Sequence, residues 1–359
     1  MAAEATPFPL SRHPQSVQLT RVAAFPNLRV LAWAGNVLYA SRGYTLLRAN
    51  VSDPAPVQWT PVAHYLPTWW RGLSSSARLA SRLFRDGFHA LAVLSSGDLV
   101  AAVPGAIIRH VPGSGEFQTT HRVLRGTRPL HIAATSDGRL YWGEYFDNPD
   151  REEVHIYGSV DRGATWYVAF TFPNGSIRHV HNIIFDQWQQ CLWLLTGDDG
   201  AESRILRASL DFKTLDVVLS GSQQTRAVAA IPTTDGLYFS TDTPSEQNYV
   251  YRLDREGNLT KITSLSSSSI YGCRVGDAIF FSTMVEPSTV NLDRHVRLYG
   301  VSKEASWQSL LEWKKDLWPK GLFQYGNVFL PDGENGSGCL ALTAIAVQGA
   351  DMGTTLWRV

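Results

Sequence analysis

Cysteine is scarce in this sequence, and neither sign of charge is in excess. The 359 residues include three cysteines, Cys191, Cys273 and Cys339. An odd number of widely spaced cysteines fits neither a disulfide framework nor a paired metal motif, so we expect reduced, structural thiols. Lysine plus arginine equals aspartate plus glutamate, 32 against 32. Without an overall positive field, binding to nucleic acid or to an anionic membrane is not expected.

Long apolar runs and common enzyme motifs are also missing. Residues 1–15 lack the basic start and apolar core of a signal peptide, and no run of about 18 apolar residues occurs anywhere. The sequence therefore predicts a soluble, cytoplasmic protein. It contains no P-loop, GxGxxG, GxSxG or HExxH motif, so nucleotide-dependent and α/β-hydrolase chemistries have no support.

The chain is instead rich in short strand-like runs. Hydrophobic residues make up 44%, aromatic residues 11% and charged residues 18%, and 29 glycines mark frequent turns. This composition is typical of a globular β protein and excludes disorder, coiled coil and collagen. The pattern is clearest from Pro129 to Phe172, where four runs follow one another: PLHIAATS, RLYWGEY, EVHIYGS and WYVAFTF.

The same four-strand unit recurs along the chain, and its recurrence predicts the fold. Repeats of about 40 to 50 residues with four strands each are typical of a β-propeller. The last unit offers three strands, and the unused run SVQLTRVAAF at residues 16–25 can supply the fourth by pairing with the C-terminal strand. We predict one all-β propeller domain over residues 1–359, with about seven four-stranded blades; six blades is the alternative. The units begin near Leu28, Phe88, Pro129, Arg178, Thr225, Ser268 and Leu322.

A segment with helical spacing interrupts the repeats between the first two units, at residues 65–86. Leu79 and Leu83 would share a short amphipathic helix with Arg78, Arg82 and Arg85. This helix could be a cap packed on the rim of the ring or a lid over its central channel.

One local motif has a specific spacing. Its defined positions, in the pattern S-x-D-x-G-x-T-W, are Ser159, Asp161, Gly163, Thr165 and Trp166. The motif resembles the Asp box of BNR-repeat propellers, a group that includes sialidases and other glycan-active or glycan-binding proteins. In that group the box is a structural hairpin between the third and fourth strands of a blade, the place that the repeat count gives it here. The resemblance implies a propeller with a glycan-related function, and no sialidase catalytic residue is matched.

The geometry of a propeller indicates where a site would form. The loop entering each first strand and the loop leaving each second strand open on one face, around the central channel. Polar, ionisable and aromatic residues crowd these two places, whereas the strands between them are apolar. Besides Arg128 and His131, the candidate site residues are Glu144, Tyr145, Arg151, Arg178, His179, His181, Asp198, Gln223, Arg226, Asp242, Asn248 and Tyr325.

We expect a carbohydrate-active enzyme as the first hypothesis. Hydrolysis of a glycosidic bond needs two carboxyl groups, and Glu144 with Asp198 or Asp242 are the candidates. Glu144 ends an apolar strand, where partial burial would suit a general acid; the alternative is an ion pair with Arg151 or Arg178. Asp198 and Asp242 could instead only cap turns.

Arginines on the same rim favour an acidic oligosaccharide or polysaccharide as the ligand. Arg151, Arg178 and Arg226 suit a carboxylate, and Gln223, Asn248 and Tyr325 would add contacts to the sugar. An alternative reaction is β-elimination of a uronate, with Arg178 or Arg226 neutralising the acid and His181 or Tyr145 removing the proton.

The need for a cofactor and for catalysis stays open. His179 and His181 lie two apart in one strand and point to one face, so with Gln223 or Asp198 they could hold a divalent metal; otherwise no cofactor is expected. A non-catalytic propeller that binds a glycan or a protein is the alternative of a different class.

Overall fold

Seven β-sheets follow one another along the chain and form a ring. The computed structural model describes residues 17–52, 56–302 and 306–359, so the N-terminal residues examined for a signal peptide lie outside the described residues. Neighbouring sheets meet through their first strands, which surround a central channel. The predicted seven-bladed β-propeller is confirmed, and the alternative of six blades is wrong.

Strands are numbered in chain order, and blades 1 to 6 take four consecutive strands each from β2 onwards. The strands of the first half are β1 (Thr20–Pro26), β2 (Arg29–Gly35), β3 (Val37–Arg42), β4 (Thr45–Asn50), β5 (Thr60–His64), β6 (Ala90–Val93), β7 (Leu99–Val103), β8 (Ala106–His110), β9 (Gln118–Arg122), β10 (Ala133–Ala134), β11 (Leu140–Gly143), β12 (Val154–Ser159), β13 (Tyr167–Phe172) and β14 (Val180–Asp186). Those of the second half are β15 (Cys191–Thr196), β16 (Arg204–Ala208), β17 (Leu215–Ser220), β18 (Ala227–Thr233), β19 (Gly236–Thr241), β20 (Asn248–Asp254), β21 (Leu259–Leu265), β22 (Ser269–Val275), β23 (Ala278–Thr283), β24 (His295–Val301), β25 (Gln308–Lys314), β26 (Asn327–Phe329), β27 (Asp332–Asn335), β28 (Cys339–Ile345) and β29 (Gly353–Arg358).

The core lies between the blades rather than within any one of them. Second strands such as β7, β15 and β23 are buried at every residue, because neighbouring blades cover both of their faces. Fourth strands lie on the outside, and β21 is exposed over most of its length. Each blade is therefore stable only when its neighbours cover it.

The ring closes through the two ends of the chain. Strand β1 is the outermost strand of blade 7, next to β29, β28 and β26. It pairs antiparallel with β29, from Thr20 opposite Arg358 to Pro26 opposite Gly353. This confirms the pairing predicted for the run that no other unit could use, and it leaves blade 7 with four strands like the others.

Strand β27 was not predicted. It pairs in parallel with β2, with Ala32 opposite Asp332, and so adds a fifth strand to blade 1. The short DGEN sequence lacks the apolar alternation by which a strand is recognised, and this explains why the repeat pattern missed it.

A β-bulge recurs near the start of the first strand in blades 1, 4, 5 and 6. One extra residue stands opposite the second strand in each case. A bulge turns the side chain of the extra residue away from the regular alternation of the strand. The extra residues are Leu31, His181, Val228 and Ile270.

The inserted segment at residues 65–86 forms two short helices, α1 (Trp69–Ser74) and α2 (Arg78–Phe84), rather than one. Arg82 is buried and bonds to Asp316 at 2.7 Å and to Asp351 at 3.1 Å. Leu83 is exposed, so the predicted apolar face does not hold the helix in place. The helix is attached by an arginine to the loops of blades 6 and 7, next to helix α3 (Lys320–Phe323).

None of the three cysteines forms a disulfide within the described residues, and Cys191 and Cys339 are buried, as expected for structural residues. Among the helices that the structure describes, none has both the length and the apolar character needed to cross a membrane.

Candidate functional site

The start of each first strand and the loop after each second strand lie at one end of the channel, which we call the channel mouth. Backbone hydrogen bonds join the two places, from Asp242 N to Arg226 O at 2.9 Å and from Met284 N to Ser268 O at 2.8 Å. Side chains from different blades therefore approach one another at the channel mouth, as the propeller geometry predicts.

Two histidines and one aspartate form the tightest group there. Nε2 of His179 lies 3.0 Å from Nε2 of His181. The Asp198 carboxylate lies 3.4 Å from the first of these atoms and 3.3 Å from the second. Both histidines are buried. The three side chains offer three ligand atoms at the spacing of a metal centre, so they could hold a divalent ion.

Backbone carbonyls determine how the two rings are oriented. Nδ1 of His179 lies 3.0 Å from Phe146 O, and Nδ1 of His181 lies 2.9 Å from Ala227 O. A carbonyl oxygen only accepts, so each Nδ1 carries the proton and donates it. In the neutral rings each Nε2 then has a lone pair, and these lone pairs face each other and the carboxylate.

Charged neighbours keep Asp198 ionised. Arg226 lies 3.1 Å from one of its oxygens and Arg178 lies 3.7 Å from the other. Burial alone would raise the pKa of Asp198, but its contacts with His179 and His181 and the charge of Arg226 hold this pKa far below its usual range. Burial is also the main reason why the pKa of His181 is lowered.

Asp242 has the opposite character. Burial raises its pKa to about 7; Arg226, 3.6 Å away, opposes the shift, while the charges of Glu286 and Asp198 increase it. Its Oδ1 is buried without a hydrogen-bond partner among the described residues. Asp242 is therefore a carboxyl group that can hold or release a proton near neutral pH.

Tyr145 and Tyr325 also lie at the channel mouth. The Tyr145 ring is 4.3 Å from the His179 ring, and burial together with the charges of Asp198 and Asp242 raises the pKa of Tyr145 to about 12. Burial and the charge of Glu286 raise the pKa of Tyr325. Both tyrosines stay protonated at neutral pH, so they can donate hydrogen bonds but are poor bases.

Glu144, the proposed catalytic acid, is held in a structural ion pair. Arg125 Nε donates to its Oε1 at 2.9 Å, the same guanidinium bonds to its Oε2, and His155 N donates to Oε2 at 2.8 Å. The pair alternative is therefore the observed one, with Arg125 in place of the expected Arg151 or Arg178. These contacts engage both oxygens, so Glu144 has a structural role between the loop before blade 3 and the end of β11.

The remaining candidates are positioned by other polar groups. Arg151 bonds to Glu202 at 2.6 Å and lies 3.3 Å from Asp199, away from the histidines. Gln223 donates to Asp198 O at 2.8 Å and so supports the loop that carries this aspartate. Asn248 is fully buried; its Oδ1 accepts hydrogen bonds from Thr241 Oγ1 and Thr243 N, and its Nδ2 donates to Thr243 O and Asn291 Oδ1, so it has a structural role.

The Asp box forms the predicted hairpin between β12 and β13, the third and fourth strands of blade 3. Asp161 accepts hydrogen bonds from Ser159 Oγ at 2.8 Å, Thr165 N at 2.9 Å and Thr165 Oγ1 at 2.6 Å, while Gly163 N donates to Ser159 Oγ. Trp166 Nε1 donates to Thr120 on the neighbouring blade at 3.2 Å. The box is a structural turn that also links two blades.

Three further arginines lie at the channel mouth. The sequence placed Arg128 there but predicted ligand binding for none of the three. Arg29 begins β2, Arg128 precedes β10 and Arg85 follows α2. Burial is the main reason why the pKa of Arg128 is lowered to about 9, and the charges of Arg29 and Arg85 add to this effect. The charges of all three arginines also influence the pKa of Tyr271 in blade 6. Groups from opposite sides of the ring can influence one another in this way only near its axis.

These three arginines have no ionic partner within the described residues. No carboxylate oxygen lies within 4.0 Å of the Arg29, Arg85 or Arg128 guanidinium in that part of the chain. Arg29 lies 3.2 Å from His89 Nδ1 and 3.9 Å above the Phe329 ring. The Nε atoms of Arg29 and Arg128 are buried without a hydrogen-bond partner. Arg178 and Arg226, which the sequence favoured for ligand binding, are instead already paired with carboxylates.

Comparison with known proteins shows the fold and no family. Neither a protein-family model nor a curated protein sequence matches this chain. Among solved structures, the WD40 β-propeller domain of Doa1 is similar, with a TM-score of 0.57 and 12% identity over 95% of this chain and 97% of that one. A chain of a mitotic checkpoint complex gives 0.57 and 12% over 100% and 99%, and one of a nidogen/laminin complex gives 0.50 and 12% over 80% and 95%. The resemblance to the BNR group is confined to one hairpin and is supported by no family match.

Proposed function

We propose that the channel mouth binds an acidic saccharide through its carboxylate groups, and that binding rather than glycosidic hydrolysis is the function of the site. The observation that carries this proposal is the set of three arginines, Arg29, Arg85 and Arg128, without a carboxylate partner in the described part of the chain. The ligand class is the one expected from the sequence, but the arginines that bind it are different.

Uncompensated charge supports an anionic ligand. Arg29 and Arg128 are half-buried and Arg85 is exposed, and a half-buried cation without an ionic partner loses part of its hydration without gaining an opposite charge. The lowered pKa of Arg128 reflects this cost, because burial and two like charges disfavour its charged form. A carboxylate placed between the arginines would restore the missing partner, and guanidinium groups bind carboxylates with two parallel hydrogen bonds.

Aromatic rings around the arginines support a saccharide rather than a simple anion. The Tyr271 ring lies 4.6 Å from the Phe329 ring, and the Arg29 guanidinium lies over the Phe329 ring. Tyr145 adds a third ring beside His179. Such rings offer flat apolar faces to a sugar, and the nearby hydroxyl and imidazole groups can bond to its hydroxyls.

Binding fits the described carboxylates better than two-carboxylate hydrolysis does. Glu144 is bonded through both oxygens and Asp198 is surrounded by four cationic or imidazole groups. Two similar structures belong to a nidogen/laminin complex and to a mitotic checkpoint complex, so propellers of this shape also occur in protein assemblies.

A second candidate rests on Asp242. Its pKa of about 7 would let it act as a general acid or base if a saccharide bound beside it. Release of reducing ends, or absorbance from an unsaturated uronate, would reveal hydrolysis or elimination. Loss of either activity in Asp242→Asn would support this candidate over binding alone.

Calorimetric titration tests the proposed function. We expect oligogalacturonate to bind and a neutral oligosaccharide of equal length to bind at least about 10-fold more weakly, because one charge-assisted bidentate contact contributes over 1.4 kcal/mol. Arg128→Gln and Arg29→Gln should each weaken binding of the acidic saccharide by a similar factor of about 10. The matched control is Arg122→Gln, which changes an exposed arginine on outer strand β9. Equal binding of both saccharides, or full affinity in the two channel variants, would contradict the proposal.

A further inference from the structure

We infer that His179, His181 and Asp198 form a binding site for one divalent transition-metal ion. The site is separate from the three arginines, and this inference goes beyond saccharide binding. It rests on the spacing of three ligand atoms, on the tautomers of two rings and on a comparison between the blades.

The spacing of the ligand atoms fits coordination of one ion. The two Nε2 atoms are 3.0 Å apart, and the carboxylate oxygens lie 3.4 Å and 3.3 Å from them. Ligands placed about 2.0 to 2.1 Å from a tetrahedral ion are separated by roughly 3.3 Å from one another. The two Nε2 atoms and the carboxylate, which offers Oδ2 to His179 and Oδ1 to His181, are therefore close enough to share one ion, and three ligands leave at least one position for water or another ligand.

The orientation of the rings also fits a metal. Phe146 O and Ala227 O each accept a hydrogen bond from an Nδ1 atom, so the two Nε2 lone pairs point at each other. Facing lone pairs repel unless a cation lies between them. A backbone carbonyl that bonds to the distal nitrogen is the usual way in which a protein orients a histidine ligand and makes it more basic.

Comparison between the blades shows that the fold does not require a histidine here. His181 is the extra residue of the first-strand bulge, and the same position is Leu31 in blade 1, Val228 in blade 5 and Ile270 in blade 6. An apolar residue meets the packing requirement in the other three blades. Packing does not require an imidazole at this position, and the Nε2 atom of His181 faces His179 and Asp198 rather than an apolar neighbour, so a chemical role accounts for it better than packing does.

The ligand types determine the class of metal. Two imidazoles and one carboxylate suit zinc, cobalt, nickel, iron or manganese, whereas calcium and magnesium prefer sites made only of oxygen. The competing account is a proton shared between the two Nε2 atoms. Among the described residues, the other cations beside Asp198 are Arg178 and Arg226.

Cobalt binding separates the two accounts, because Co²⁺ bound by nitrogen absorbs visible light. The full chain, treated with chelator and dialysed, would be titrated with CoCl₂ and its metal content measured. We expect one ion per chain, and an affinity roughly 100-fold lower in His181→Val and in Asp198→Asn, since each removes one of three ligands. Valine occupies this position in blade 5, so we expect His181→Val to fold. Thermal unfolding of the metal-free variant checks that it does.

Two controls complete the test. His295→Gln changes a histidine 3.1 Å from the Asp293 carboxylate at a distant surface, and Arg128→Gln changes the proposed saccharide contact. Both should bind Co²⁺ like the unaltered chain, even if the saccharide proposal fails. Absence of Co²⁺ binding in the unaltered chain, or equal binding in folded His181→Val, would overturn the metal site and leave the shared proton.

Discussion

Arg125 holds the Glu144 carboxylate in a two-point ion pair, with Nε 2.9 Å from Oε1 and the second contact at Oε2. The pair fixes the loop before blade 3 to the end of strand β11. Its position explains why a carboxylate at the end of an apolar strand can be a structural group rather than an acid catalyst.

Glu144→Gln should therefore destabilise the protein and leave saccharide affinity nearly unchanged. It removes the negative charge beside a largely buried guanidinium, which costs about 2 kcal/mol in the free energy of unfolding. Urea denaturation and calorimetric titration of the same variant measure the two effects. A stable Glu144→Gln protein that no longer bound its ligand would show that Glu144 contacts the ligand.

Asp98→Asn should reduce stability in a way that depends on pH. Burial would raise the pKa of Asp98, but hydrogen bonds from Ser96 and Arg109 and the charges of Arg109 and Arg162 lower it below its ordinary 3.8. A lowered folded-state pKa stabilises the protein above about pH 3.8, and this contribution is lost as the pH falls through the folded-state value. We expect a loss of about 2 kcal/mol at neutral pH that shrinks near pH 3, measured by urea denaturation. A difference that grew on acidification would contradict the assignment.

Asp161→Ala should weaken the Asp-box hairpin without affecting the channel. It removes the acceptor for Thr165 N and Thr165 Oγ1 and costs about 1 to 2 kcal/mol. Asp211→Ala is the matched control, because in the corresponding hairpin of blade 4 Asp211 accepts hydrogen bonds from Ser209 Oγ and Lys213 N, and its third contact is an exposed ion pair with Lys213 Nζ, which adds little stability. Thermal unfolding should show the larger loss in Asp161→Ala. Loss of saccharide binding in Asp161→Ala would mean that the box has more than a structural role.

Arg82→Gln should loosen the inserted helices. Arg82 bonds to Asp316, Asp351 and Phe323 O, and Arg85 follows the same helix towards the channel. Faster hydrogen exchange across α1 and α2 and weaker binding of acidic saccharide are the expected results. Arg78→Gln, which changes an exposed arginine 3.6 Å from Asp351, is the control. Unchanged exchange in Arg82→Gln would show that the segment is held by other contacts.

The sequence was sufficient to predict the seven blades, their closure and the Asp-box turn. Each of these depends on local spacing: strands closed by turns, one unused run at residues 16–25, and a hairpin with fixed polar positions. The closeness of His179 and His181 could also be predicted, because residues two apart in a strand share a face.

Ion pairing between repeats could not be predicted. The sequence indicated Arg151 or Arg178 as the partner of Glu144, whereas the path of the loop before blade 3 brings Arg125 to it instead. Arg29, Arg85 and Arg128 come from a first strand, a helix end and a loop, so only the closed ring brings them together. Their lack of a carboxylate partner depends on the folded structure, and no sequence motif indicates it.

The most direct test of the central claim is an NMR titration of the arginine Nε–H groups in protein labelled with ¹⁵N-arginine. Single substitutions of Arg29, Arg85 and Arg128 would assign the signals. We predict that oligogalacturonate shifts the Nε–H signals of Arg29 and Arg128, whose Nε atoms are buried without partners among the described residues, while a neutral oligosaccharide does not. Unchanged signals at saturating oligogalacturonate, or equal shifts with the neutral sugar, would contradict the claim that these arginines bind an acidic saccharide.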